Sequence, residues 1–277
     1  MNQLIQQQLQ DAAVHEGPRL IERARALRPL LEAAAPRIEA ERALTADVLE
    51  ALHHAGLFRM LLPRSCGGFE ADPATFMQAV EAIAMGDASA AWCVSQACGV
   101  SMAAAYLKPE IAREIFGPPQ AVLANGTSST RVKAIPVAGG YRANGLWRFA
   151  SGHKHATWLG GHCVLCDAEG NPRLAPDGQT TLERTLLFPK ERAKIIDVWH
   201  VIGLKGTGSD SYAVEDLFVP EDYTFTRESA AERRETGPLY RFTTFNLFGI
   251  GLNTNRTGGR IITKFHLFLI SLIPDLG

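Results

Sequence analysis

One change of rhythm constrains this chain more than any other feature. Up to about residue 117, apolar side chains recur at three and four residues, as in Ile21, Ala24, Leu27 and Leu31 or in Val48, Leu49 and Leu52, which is the spacing of one helical face. From "FGPPQAVLANG" onward the spacing falls to two, in Gly-, Thr- and Val-rich stretches such as "KAIPVAGGYRANGLWRFAS" and "IGLKGTGSDSYAVEDLFVP", the alternation of strands. Helices first and strands second, segregated along the chain, predict an α+β protein, not a parallel βαβ sheet. The expected division is a helical domain over residues 1–118, an antiparallel β-domain over 119–222, and a polar, then apolar remainder over 223–277.

Local signals refine this. Thr45 stands as an N-cap ahead of Val48, with Gly56 as the stop, and Asp72-Pro73 leads another helix. The stretch over residues 88–106 is apolar nearly all round, so it is expected at the centre of the helical domain. "AGGYRANG" carries Gly-Gly and Asn-Gly, both suited to hairpin turns. The C-terminal run "FHLFLISLIP" is too short to span a bilayer.

Charge excludes one class of partner. With 28 basic and 29 acidic residues in 277, there is no positive excess to hold a polyanion, so nucleic acid is not an expected partner. Nor is a membrane. The N-terminus shows no basic segment followed by an apolar run, which suggests a cytoplasmic protein. Five scattered cysteines do not form a disulfide framework, and Cys163 and Cys166, three apart on an apparent strand, point to opposite faces. A metal site is not expected: no second cysteine pair and no HExxH accompany them.

The stretch "GLWRFASGHKHATW", residues 145–158, holds the densest chemistry. Alternation along a strand would place Trp147, Phe149 and Ser151 on one face; a plain strand end with a Ser-Gly turn is the other reading. His153 and Lys154 read as a solvated loop, and Asn125-Gly126 as a turn. "GLKGTGS" lacks the GxxxxGK[ST] pattern and lies between strands, so it reads as a β-turn, not a phosphate loop.

Taken together, "ALHHAGLFRMLLPRSCGG", "DASAAWCVSQACG", "GGYRANGLWRFASGHKHATW" and "GLKGTGSDSYAVEDLFVP" resemble the acyl-CoA dehydrogenase superfamily over about residues 15–250. Within it they look most like the monooxygenase branch that receives reduced flavin from a separate reductase. The resemblance implies a helical domain, a β-domain and a C-terminal four-helix bundle, assembled as a homotetramer. The bundle is not matched, and the segment after Gly251 reads as an atypical tail on a remnant of that domain, as a truncation or frameshift would leave.

The resemblance also implies roles. Phe149 would lie against the flavin ring with Ser151 near N5; Asn125, Gly126 and Thr127 would bind flavin from the first strand; Asn125 and Ser151 would be the catalytic pair. His155 would order the loop on the substrate side. Ser101 stands where the hydroxylases carry a histidine on the central helix. The implied cofactor is reduced FAD or FMN, and the implied partners are a flavin reductase, oxygen and a small aromatic or cyclic substrate. An FAD-dependent acyl-CoA dehydrogenase-like enzyme and an inactive truncated product are the alternatives.

Overall fold

The computed structural model describes residues 16–127, 132–227 and 229–242. The "FHLFLISLIP" run, the tail after Gly251 and most of the expected C-terminal remainder lie outside these residues. Among the described residues six α-helices come first: α1 over residues 16–26, α2 (Arg28–Glu41), α3 (Ala46–His54), α4 (Pro73–Ala84), α5 (Ala88–Ser101) and α6 (Pro109–Phe116). Asp72 caps α4 by accepting from Ala74 N and Thr75 N, both at 3.0 Å, which satisfies two of the amides that a helix start leaves without partners. Gly56 follows α3 at φ +74°, a left-handed turn that glycine adopts without steric cost. Thr45 takes the N-cap position of α3 in extended conformation, but its side chain makes no capping bond. The buried face of α2 is Leu31, Ala34 and Ile38. By contrast α5 is enclosed on most sides, as an all-round apolar helix requires, and it continues into a 3-10 turn at Met102–Tyr106.

Eight strands follow among the described residues: β1 (Leu123–Asn125), β2 (Lys133–Val137), β3 (Gly140–Trp147), β4 (Trp158–Leu165), β5 (Glu183–Pro189), β6 (Lys194–Ile196), β7 (Ser211–Pro220) and β8 (Thr224–Phe225). They form one sheet in the order β6-β7-β3-β2-β4-β5-β8, with β1 also on β4. The pairing is largely antiparallel, as the alternation implies. Two short pairings are parallel: β1 runs beside Trp158–Gly160 of β4, and β2 beside Val164–Leu165. Thus β1 and β2 are successive segments along one edge of β4, and the backbone leaves that edge between them.

The gap is filled by side chains. Trp147 Nε1 donates to the His162 carbonyl at 3.0 Å, and the Tyr212 hydroxyl donates to the Gly160 carbonyl while accepting from Gly126 N at 3.1 Å. The two rings stack at 5.2 Å and are fully buried. Small residues make room for them: a Cβ on Gly126 would fall 2.6 Å from Trp147 Cβ, and one on Gly161 2.3 Å from the Trp147 ring. Of the two hairpin signals, Gly139 makes the β2–β3 turn at φ +79°. Asn144-Gly145 instead forms a bulge in β3, where Asn144 Oδ1 accepts from Asp216 N at 2.6 Å.

Candidate functional site

The end of β1 and the end of β3 meet at one point. Thr127 donates to the Arg148 carbonyl twice, through its backbone N at 2.7 Å and its hydroxyl at 3.1 Å. This brings Asn125, Gly126 and Thr127 beside the turn that carries Phe149 and Ser151. The turn itself differs from simple alternation. Strand β3 ends at Trp147, and Phe149 takes φ +58°, a left-handed conformation that costs a non-glycine residue about 1 kcal/mol. Trp147, Phe149 and Ser151 therefore do not share a strand face. Trp147 enters the core, Phe149 stands half-buried and edge-on to Trp199 at 6.1 Å, and Ser151 is 8% exposed. Two backbone bonds hold this turn to the loop before β7: Ala150 N to Asp210 O and Gly152 N to Thr207 O, both 2.9 Å.

Ser151 sits in a line of hydroxyls. Trp92 Nε1 on α5 donates to Ser151 Oγ at 2.8 Å; Ser151 and Ser209 hydroxyls lie 2.7 Å apart, as do those of Ser209 and Thr207; Thr207 Oγ1 is 2.9 Å from the Leu204 carbonyl. A carbonyl only accepts, and each hydroxyl has one proton to give. One assignment satisfies every contact: Thr207 donates to Leu204, Ser209 to Thr207, and Ser151 to Ser209. Ser151 has then spent its proton on protein and keeps lone-pair capacity alone for a ligand.

Behind this line lies a buried histidine–carboxylate hydrogen bond. His153 Nε2 is 3.0 Å from Asp210 Oδ2, while Asp210 Oδ1 accepts from Val198 N at 3.0 Å and Trp199 N at 2.9 Å. The solvated loop expected for His153 is thus a core position, 3% exposed, because a carboxylate is there to take its proton. Burial lowers the His153 pKa below the ordinary imidazole value, and Asp210 opposes that shift. Lys154 keeps a partly exposed place, with its carbonyl accepting from Lys190 Nζ at 2.9 Å. His155 packs against Phe58 at 5.5 Å, and burial holds its pKa down to about 3. Its Nε2 is buried without a partner among the described residues. Ser101 turns back on its own helix, donating to Cys98 O at 2.7 Å, and so does not join the Ser151 cluster.

A small, partly open cleft lies beside Asn125, between α5 and the β1-β4-β5 face. Its apolar walls include Val100, Leu123, Leu187 and Phe225, and its polar end is Asn125, His162, Thr185 and Arg227. The Asn125 amide nitrogen donates to the Ala124 and Gly160 carbonyls at 3.2 Å, which fixes the side chain at the cleft rim and makes Asn125-Gly126 part of a strand junction, not a free turn. The cysteines of the CxxC pair are both buried thiols. Among the described residues no helix is long and apolar enough to cross a membrane.

Residues 23–116 match the family model described as acyl-CoA dehydrogenase, N-terminal domain. The chain belongs to the acyl-CoA dehydrogenase superfamily. It is 33% identical over 230 residues to the flavin-dependent monooxygenase, oxygenase subunit HsaA, of Rhodococcus jostii (strain RHA1), covering 80% of this chain and 57% of that protein. It is 32% identical over 206 residues to indole-3-acetate monooxygenase of Pseudomonas putida, covering 73% of this chain and 49% of that protein. The crystal structure of 3-HSA hydroxylase from Rhodococcus sp. RHA1 superposes with a TM-score of 0.75 at 29% identity, over 84% of this chain and 61% of that one. The chain thus spans about half the length of these curated relatives.

Within this superfamily fold, sequence reasoning reached Asn125, Gly126, Thr127, Phe149 and Ser151, which the structure brings to one junction. It missed Trp92, Tyr212 and the Thr207-Ser209-Asp210 group. The available signal was the density of hydroxyls and a carboxylate in "GTGSDSY" directly before a strand, which is more polar chemistry than a β-turn needs.

Proposed function

We propose that this chain is the oxygenase component of a reduced-flavin-dependent monooxygenase acting on a small aromatic or other cyclic substrate, supplied with reduced flavin by a separate reductase. The observation that carries the reading is the direction of the hydroxyl line. Because Ser151 donates to Ser209 and accepts from Trp92, it can offer a ligand an acceptor only. Reduced flavin carries a proton on N5 and oxidised flavin does not, so an obligate acceptor matches the reduced ring. That acceptor fits the reduced cofactor, and Asn125, Gly126, Thr127, Phe149 and Ser151 are the residues that would hold it.

Reduced flavin, FMN or FAD, supplies when bound the electrons that activate dioxygen. The protein's part is positioning and exclusion of water. Ser151 is held at both ends of its hydrogen-bonding capacity, so its lone pair is pre-aimed. Trp199, 7% exposed, shields the turn beneath Phe149, and Val100, Leu123, Leu187 and Phe225 give the neighbouring cleft apolar walls. The names of the R. jostii and P. putida relatives, a flavin-dependent monooxygenase and one acting on indole-3-acetate, support both the cofactor and a ring substrate. The two-domain division at residues 118/119, homotetrameric assembly and a cytoplasmic location belong to the same proposal.

Anaerobic titration with reduced and oxidised FMN and FAD tests it. Binding should favour the reduced form by about tenfold or more, the worth of one well-placed hydrogen bond against an acceptor–acceptor clash. Replacing Ser151 by Ala should abolish the preference, and oxygen uptake with a reductase should rise when a ring substrate is added. Equal affinity for both redox forms, or no flavin binding, would overturn the reading.

A further inference from the structure

The polar end of the cleft has a defined protonation pattern. His162 on β4 stands between Thr185 on β5 and Arg227, which follows β8: Nδ1 is 2.7 Å from Thr185 Oγ1 and Nε2 is 3.5 Å from an Arg227 guanidinium nitrogen. A guanidinium only donates, so the nitrogen facing it carries a lone pair, and the ring proton resides on Nδ1, bonded to Thr185. Burial first, and the charge of Arg227 second, hold the His162 pKa down to about 4, so the ring is neutral at neutral pH.

At 3.5 Å the His162–Arg227 contact is at the outer limit of a hydrogen bond, and the Glu183 carboxylate near Arg227 is 3.8 Å away. An acceptor and several donors thus converge on one spot in a cleft whose remaining walls are largely apolar. A hydroxyl satisfies both at once: its proton goes to Nε2 and its oxygen accepts from Arg227. A carboxylate or an ether has no proton for Nε2, and a bare ring has neither function.

We propose that His162, set by Thr185 and backed by Arg227, anchors a ring hydroxyl of the substrate and thereby selects phenols over unhydroxylated rings. The proposal rests on the monooxygenase reading for the word substrate. In this role His162 is a specificity residue that touches substrate, and Thr185 and Arg227 position and complete it.

The test uses the 277-residue chain without flavin and two probes of similar shape, 2-naphthol and 2-fluoronaphthalene, the first measured by its fluorescence and the second by competition. Fluorine replaces the hydroxyl but cannot donate. The unaltered chain should bind 2-naphthol at least about tenfold more tightly, since a site built to pair a hydroxyl rejects the analogue lacking it. His162→Phe should reduce the preference below about threefold. Arg227→Met, at a side chain already 39% exposed, should weaken 2-naphthol about tenfold and leave 2-fluoronaphthalene unchanged, and it remains informative if His162→Phe does not fold. No preference in the unaltered chain, or an undiminished preference in Arg227→Met, overturns the anchor. Flavin binding is measured separately. Flavin bound without hydroxyl preference defeats the anchor alone, whereas hydroxyl preference without flavin binding defeats the monooxygenase reading and leaves the hydroxyl site standing.

Discussion

Tyr212→Phe isolates the hydrogen bonds that close the gap between β1 and β2. The ring stays, so its stack on Trp147 at 5.2 Å and its packing near Phe188 at 6.2 Å are kept, and the change is confined to one oxygen. That oxygen has two partners. Gly126 N, buried and 3.1 Å away, loses its acceptor outright, which costs about 1–3 kcal/mol for an unsatisfied buried amide. The Gly160 carbonyl loses one donor but keeps the Asn125 amide at 3.2 Å, so its share is smaller, under about 1 kcal/mol. The sum is about 2 kcal/mol, a factor of about 30 in the folding equilibrium. Urea unfolding followed by tryptophan fluorescence should show a lower midpoint at unchanged slope, because the surface exposed on unfolding is the same. A loss below about 0.5 kcal/mol would mean that Gly126 N finds another acceptor, and the account of a gap closed by side chains would fail.

Three further outcomes follow from other parts of the site. His155 and His162 have folded pKa values of about 3 and about 4 against an ordinary 6.5, so the unfolded chain binds protons that the folded chain refuses; stability is complete above pH 6.5 and declines as pH falls toward 4, by about 2 kcal/mol per ring at pH 5, and a flat urea midpoint from pH 7.5 to 5 would refute this. Thr207→Val removes the hydroxyl that fixes the direction of the line, so Ser209 can donate to Ser151 and leave Ser151 a proton for a ligand, and the preference for reduced over oxidised flavin should shrink several-fold in anaerobic titration; an unchanged preference would detach the line from the mechanism. Gly161→Ala places a methyl 2.3 Å from the Trp147 ring and should cost about 3 kcal/mol alone, yet lose at least about 1 kcal/mol less than the sum when combined with Trp147→Leu; strict additivity would show that the ring is not what the methyl meets.

Much of the fold was readable because periodicity is a direct image of burial. The three-four spacing up to Phe116 and the alternation from Leu123 onward both survive in the structure, as do the Asp72 cap and the enclosed helix α5. What escaped reading depends on single backbone angles or on distant partners. The positive φ of Phe149 undoes the alternation that would have aligned it with Trp147, and nothing in "WRFASG" announces it. His153 looked solvated because its partner, Asp210, lies 57 residues away. The parallel pairings of β1 and β2 depend on both lying along β4, an arrangement that local pattern does not encode. Ser101 was chosen by its place on the helix, but its rotamer returns the hydroxyl to Cys98 O, the usual choice of a helical serine without a better acceptor.

The interlock of Gly126, Gly160 and Gly161 with Trp147, Tyr212 and Asn125 bears on how descendants of this sequence can change. A methyl on Gly160 would fall 2.2 Å from the Asn125 amide, so all three glycines press on a specific neighbour, and each of those neighbours needs the glycine it touches. A neutral walk through sequence space moves one substitution at a time, and here every first step forfeits a few kcal/mol from a margin of about 5–15 kcal/mol. Lineages that alter this junction must therefore either carry stabilising changes elsewhere beforehand or replace glycine and neighbour almost together. Among diverged copies the six positions should turn over as linked pairs, while the exposed strand ends around them drift freely.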